Sequence, residues 1–318
     1  MPVRGEPPPL FSRHFLFVTG KGGVGKTTVS AAIALGFAAR GKRVLVATGG
    51  AQERLSAILQ TPAIGHDIVQ LRERVWATRI DPRRAIEEYG ELALKVKAIT
   101  RLVFQHEYTH AFFRAVPGLY EWAMLGKAWY HSTELVQDGS PRFDAVLFDA
   151  PSTGHALHML RIPRVILGVA PRGVLRRDAE LAAENMRDPA RAGVVVVAWP
   201  EEMAVSEAIE LVQAVGSELG MPIARVVVNG LLPPLFSAGE RLTLLGQPGS
   251  GPPGQLGADR SPEAAVLAAA ARRASREQLQ ERSLDRLRRS LDFPVATLPF
   301  VVEGAGTPEA VELLASQL

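Results

Sequence analysis

Apolar residues along the chain gather in short, near-continuous runs separated by longer stretches with helical spacing. Residues 14–19 (HFLFVT), 43–48 (RVLVAT), 75–80 (VWATRI), 143–149 (FDAVLFD), 193–199 (GVVVVAW), 224–229 (ARVVVN) and 294–298 (PVATL) are such runs. Val, Leu and Phe without polar alternation suit central parallel strands covered on both faces. Between the first two runs lie a glycine-rich turn and an Ala-rich helical stretch, 27–40, so the opening segment reads as a βαβ unit. Residues 82–137 carry helical pattern and no strand, after a stop at Asp81-Pro82 in which Asp81 serves as cap. Residues 262–290 predict one long charged helix whose part from 275 to 289 reads as a solvated face with i,i+4 pairs. Thr307 opens a last short helix. No internal repeat is visible.

The turn after the first run reads Gly20-Lys21-Gly22-Gly23-Val24-Gly25-Lys26-Thr27-Thr28. It fits G-x-x-x-x-G-K-[ST] and sits between a strand and a helix, as phosphate binding requires. Its glycines let backbone N–H groups converge on phosphate oxygens, and the helix N-terminus adds a favourable dipole. Lys26 would reach the β- and γ-phosphates, and the Thr27 hydroxyl would ligate Mg²⁺. The fold class is therefore α/β: a doubly wound, mostly parallel sheet with P-loop NTPase topology and a helical insertion subdomain. In this reading 1–12 form a flexible arm and 13–318 a single ATPase domain. The helical subdomain spans about 83–142, and a mobile Gly/Pro-rich loop spans about 237–262.

Composition narrows the chemistry. The 36 basic residues nearly balance 33 acidic ones, for a net charge of +3. Only short Arg clusters occur, such as Arg172, Arg176 and Arg177, so no nucleic-acid partner is expected. The absence of cysteine excludes disulfides, thiolate zinc sites and cysteine nucleophiles. Residues 1–10 are Pro-rich without an apolar core, and runs such as 31–39 fall far short of the ~20 residues that span a bilayer. A cytoplasmic protein without stable membrane insertion is the expectation.

A lysine directly after the first glycine, Lys21 in KGGVGKTT, resembles the deviant Walker A motif of MinD, ParA, the nitrogenase iron protein and the ArsA/Get ATPases. The resemblance implies a dimer with ATP at its interface, Lys21 reaching the partner's nucleotide. Later segments resemble the arsenite-pump/tail-anchored-protein-targeting (ArsA/Get-type) branch. Residues 143–163 (FDAVLFDAPSTGHALHMLRIP) look like its switch II, which implies that Asp149 holds a water on Mg²⁺ and that Gly154 presents its N–H toward the γ-phosphate. Pro117-Gly118-Leu119-Tyr120-Glu121 is similar to the family's Pro-Gly-x-x-Glu segment. Residues 188–191 and 200–207, Glu207 included, match the stretch before the adenine-side strand. Asn229 corresponds to the residue that reads the adenine edge. Leu298-Pro299-Phe300 resembles the loop over the base.

One departure bears on catalysis. After the second strand the family carries Asp-Pro-Ala-His, where this chain reads Gly49-Gly50-Ala51-Gln52-Glu53. Losing the water-positioning carboxylate should harm hydrolysis far more than binding. Glu53 could substitute only with a rearranged loop. The chain is thus expected to bind ATP and Mg²⁺ as a dimeric switch, homodimer or heterodimer with an intact paralogous ATPase. Hydrolysis would be impaired; the alternative is a non-catalytic subunit of such a heterodimer. A ParA/MinD-like positioning role is disfavoured, because 312–318 is not a basic amphipathic helix. Phe104, Tyr108, Phe112, Phe113, Tyr120, Trp122, Trp129 and Tyr130 crowd the helical insertion, as a client surface or as the core of a helical hairpin. His106 and His110 there, and His155 with His158, lack the company of a metal site.

Overall fold

The computed structural model describes residues 9–50, 53–94, 118–151, 156–169, 172–246, 261–302 and 304–318. Gly154, His155, Phe104, His106, Tyr108, His110, Phe112, Phe113, Pro117, Ala51 and Gln52 lie outside them, as does most of the expected arm.

The strands are β1 (Phe15–Gly20), β2 (Val44–Thr48), β3 (Val69–Arg72), β4 (Val75–Arg79), β5 (Ala145–Asp149), β6 (Ala192–Ala198), β7 (Ile223–Leu231) and β8 (Val295–Pro299). The helices are α1 (Lys26–Ala39), α2 (Leu55–Leu59), α3 (Pro82–Leu94), α4 (Leu119–Thr133), α5 (Ala156–Val169), α6 (Val174–Arg187), α7 (Glu202–Ala214), α8 (Ala238–Leu245), α9 (Pro262–Ser290) and α10 (Pro308–Ala315). The strands form one sheet in the order β3-β4-β2-β5-β1-β6-β7-β8. Every neighbouring pair is parallel except β3–β4. All seven expected strands are present; β2, β5 and β6 are largely apolar and buried throughout, while β8 at the sheet edge is buried only at Leu298. Phe15 and Phe17 of β1, Leu45 of β2 and Val194 and Val196 of β6 enter one core with Trp122, Leu125 and Ile162. Their neighbours Leu16, Val18, Val46, Val195 and Val197 enter the other with Val29, Ile33 and Phe37 of α1. The period of two along each strand thus divides the apolar side chains between two layers.

Sequence patterning passed over β3. It is a four-residue edge strand in which only Leu71 is buried, and it turns back through Arg74 at φ 60°. The stretch 237–262, expected as a loop, contains α8. Ser237 and Glu240 form a reciprocal capping box there: Glu240 N–H donates to Ser237 Oγ, and Ser237 N–H donates to Glu240. In α9, Glu277 belongs to no solvated face. It is 1% exposed, accepts from the Leu235 N–H and pairs with Arg273. Asp81 caps α3 as expected, its Oδ1 accepting from the N–H groups of Arg83 and Arg84.

Candidate nucleotide site

The loop from Gly20 to Gly25 leaves the C-terminal end of β1, in the middle of the sheet, and runs straight into α1. Gly25 stands at the N-cap of α1 with φ 87°, and no side chain caps that end. The first N–H groups of α1 are thereby left open to an anion. A Cβ on Gly25 would lie 2.3 Å from Asn229 Nδ2, so the position needs glycine for space as well as for its left-handed backbone. Asn229 Nδ2 donates to the Val24 carbonyl at 3.0 Å and is buried at the end of β7. Asn229 thus braces the loop 205 residues away in sequence.

Lys26 is 5% exposed, and its Nζ donates to the carbonyls of Gly20 (3.1 Å) and Lys21 (3.0 Å). Burial lowers its pKa, against the opposing pull of the Asp149 charge. Asp149 ends β5 beside β1 and is 6% exposed. Thr27 Oγ1 donates to its Oδ2 at 2.7 Å, and Ser30 Oγ donates to Oδ1 at 3.2 Å. Burial pushes the Asp149 pKa up to about 6, despite both hydroxyls and the Lys26 charge. A hydroxyl and a carboxylate held together, with the carboxylate short of compensating charge, suit a hard cation such as Mg²⁺. Of these groups Ser30 escaped the sequence reading; it lies one helical turn past Thr27, on the same face of α1.

Lys21 lies on the surface, 40% exposed at its side chain, and its Nζ pairs with Glu207 of α7 at 2.7 Å. On the other flank, Phe300 follows β8 and its N–H donates to the Leu231 carbonyl at 2.8 Å. Its ring meets that of Trp199 edge-on, with centroids 6.4 Å apart, and Trp199 packs over Gly230. Asn229, Trp199, Pro299 and Phe300 thus gather at the C-terminal ends of β6, β7 and β8. Trp199 had been read only as the end of a strand. An aromatic at such an end, flanked by turn residues (Pro200 here), is a signal that could have marked it.

The switch I side differs. Gly49 follows β2, and its N–H donates to the Asp149 carbonyl at 3.0 Å. A Cβ there would lie 2.8 Å from Met124 Cε, 3.0 Å from Phe148 Cζ and 3.1 Å from Pro151 Cδ. Side chains of α4 and of the end of β5 crowd the position, and the Met124 methyl would have to swing aside to admit a carboxylate there. Glu53 does not take over: its Oε1 accepts from Ser56 N–H at 2.8 Å and its Oε2 from Ser56 Oγ, which commits it to the start of α2.

Comparison with known proteins settles the affiliation. The model of the anion-transporting ATPase family matches residues 13–171, half of the chain, including the P-loop and Asp149. The chain belongs to the anion-transporting ATPase family. Among its relatives in that family is a putative arsenical pump-driving ATPase of Halobacterium salinarum, 31% identical over 250 residues. That alignment takes in 73% of this chain and 37% of the relative. The arsenical pump-driving ATPase of Escherichia coli is 28% identical over 246 residues, 72% of this chain and 41% of that protein. ATPase BagA of Mycobacterium tuberculosis is 26% identical over 234 residues, 72% of this chain and 68% of that protein. The matched stretch thus spans less than half of the two arsenical pump-driving relatives. Among the described residues, no helix of this family member is long and apolar enough to cross a membrane.

Proposed function

We propose that this chain is an ATP-binding, Mg²⁺-dependent dimeric switch of the ArsA type that binds nucleotide in full and hydrolyses it slowly. The observation that carries the reading is a division within one site. Lys26, Thr27, Ser30 and Asp149 are assembled and hydrogen-bonded, while Gly49 offers no carboxylate and is closed in by Met124, Phe148 and Pro151.

Each group has a task in this reading. The open N-terminus of α1 and the loop N–H groups hold the phosphates. Lys26 leaves the loop carbonyls to neutralise β- and γ-phosphate charge. Thr27 would hold Mg²⁺ directly and Asp149 through water; Mg²⁺ supplies charge neutralisation on the phosphate oxygens. Gly154, outside the described residues, would offer its N–H to the γ-phosphate. Asn229, Trp199, Pro299 and Phe300 frame the adenine, with Asn229 also bracing the loop. Lys21 turns to the nucleotide of the second subunit. Its pair with Glu207 is exposed on both sides, and such pairs are worth at most about 1 kcal/mol, so phosphate across a dimer interface readily competes for it.

Gly49 also favours a second reading, in which the chain is the non-catalytic half of a heterodimer with an intact paralogous ATPase. Lys21 would then complete the partner's site while this chain's ATP acts as a clamp. In either case nucleotide state would reach a client or partner through α3, α4 and the stretch of chain between them. Light scattering with and without ATP and Mg²⁺, beside calorimetric ATP binding, tests the proposal. ATP-dependent dimerisation of the pure chain supports the homodimeric switch. Tight ATP binding by a chain that stays monomeric supports the heterodimer, and absence of ATP binding overturns both.

A further inference from the structure

Slow hydrolysis still needs something to orient water, and the structure narrows what can do it. The space beside switch I is a cavity of about 420 Å³ between Gly49-Gly50, Ala150-Pro151 and the first turn of α4. Among the described residues two carboxylates line it, Asp81 and Glu121. Asp81 is committed to capping α3. Glu53, four residues past Gly49, is committed to α2. Glu121 makes no side-chain hydrogen bond or ion pair among the described residues, and it is half-buried. It stands one turn before Met124 on the same face of α4, and Met124 is the side chain whose methyl lies closest to where a Cβ of residue 49 would be. The carboxylate missing from the strand end is therefore matched by an uncommitted one about 4.5 Å further along the facing helix.

We propose that Glu121 is the carboxylate that orients the attacking water in this chain, acting from α4 in place of a residue at position 49. In the step, the water oxygen bonds to the γ-phosphorus as the bond from that phosphorus to the β–γ bridging oxygen breaks. ADP leaves with the electron pair of that bond, and the water proton ends on the released phosphate. Glu121 accepts a hydrogen bond from the water throughout and returns unchanged. Because Glu121 is carried by a helix of the insertion region, a partner that shifts α4 would set the hydrolysis rate directly. The proposal rests on the nucleotide-site reading above. The competing role for Glu121 is structural: an acidic residue in a first helical turn favours the helix through its dipole.

Glu121→Gln and Glu121→Asp separate these roles, measured for ATP turnover, ATP affinity, affinity for ADP with aluminium fluoride, and thermal midpoint. Turnover should fall at least about tenfold in Glu121→Gln, with ATP affinity within about twofold of the unaltered chain. Affinity for ADP with aluminium fluoride, which mimics the transferring phosphoryl group, should fall with turnover, and Glu121→Asp should restore part of both. Unchanged turnover in Glu121→Gln, with ATP still bound, overturns the role of Glu121 alone. So does a loss of turnover matched by a fall in thermal midpoint that Glu121→Asp does not repair. Turnover of the unaltered chain no higher than that of Lys26→Ala overturns it too, and leaves the non-hydrolysing reading in place. Failure of the unaltered chain to bind ATP overturns the site reading beneath it.

Discussion

The two flanks of the nucleotide site are built from the same sheet and differ in kind. On the P-loop flank, polar groups from β1, α1, β5 and β7 meet in hydrogen bonds: Lys26 on the loop carbonyls, Thr27 and Ser30 on Asp149, Asn229 on Val24. On the switch I flank, the equivalent strand end is a glycine among Met124, Phe148 and Pro151. In the reading proposed above, binding phosphate draws on the first flank and positioning water on the second. On the proposed reading affinity and turnover are separable, because they draw on different strand ends: those of β1, β5 and β7 for phosphate and that of β2, next to β5, for water.

The comparison is broken most severely by Lys26→Ala. It should remove ATP binding, with a loss of at least about 3 kcal/mol, or ~100-fold, in calorimetry. Next comes Asp149. Its pKa is raised in the folded chain from 3.8 to about 6, so the folded state holds a proton that the unfolded state has lost. That contribution to stability is complete below about pH 4 and is lost as pH rises through 6, up to about 3 kcal/mol in all. Denaturant midpoints of the ligand-free chain should therefore fall across that window, and Asp149→Asn should flatten the fall. Gly49→Asp should sharpen the contrast: a loss of about 1–3 kcal/mol in stability from overpacking, with no gain in turnover. Adding Met124→Ala should return part of that stability. Asn229→Ala leaves the Val24 carbonyl without its buried donor and should weaken ATP binding by about 1–2 kcal/mol. Glu207→Ala should have the smallest effect, under about 1 kcal/mol on stability, with ATP affinity unchanged.

Much of this was legible along the chain because the central strands are short apolar runs covered on both faces and because the P-loop chemistry is contiguous in sequence. Lys26, Thr27 and Gly25 needed no three-dimensional information. Asp149 was placed by family resemblance, and β5 carries it beside β1. What could not be read were contacts between distant segments. Nothing in the residues near Lys21 announces Glu207, and nothing near Val24 announces Asn229. Gly49 showed that a carboxylate was missing, while only the structure shows that the Met124 methyl from α4 leans on the place it would occupy. β3 was missed because an edge strand with a single buried residue has no periodic signal. By contrast α8 was overlooked although Ser237 and Glu240 spell a capping box, overridden by the glycines and prolines around them.

The central claim is that phosphate binding is intact while water positioning is poor, and ATP turnover measured beside ATP affinity on one preparation, with Lys26→Ala as background, tests it most directly. The account predicts micromolar or tighter binding with turnover below about 1 s⁻¹, well under the ~10 s⁻¹ typical of enzymes. Turnover at or above that typical rate, abolished by Lys26→Ala, would contradict it and show that the switch I flank is catalytically complete.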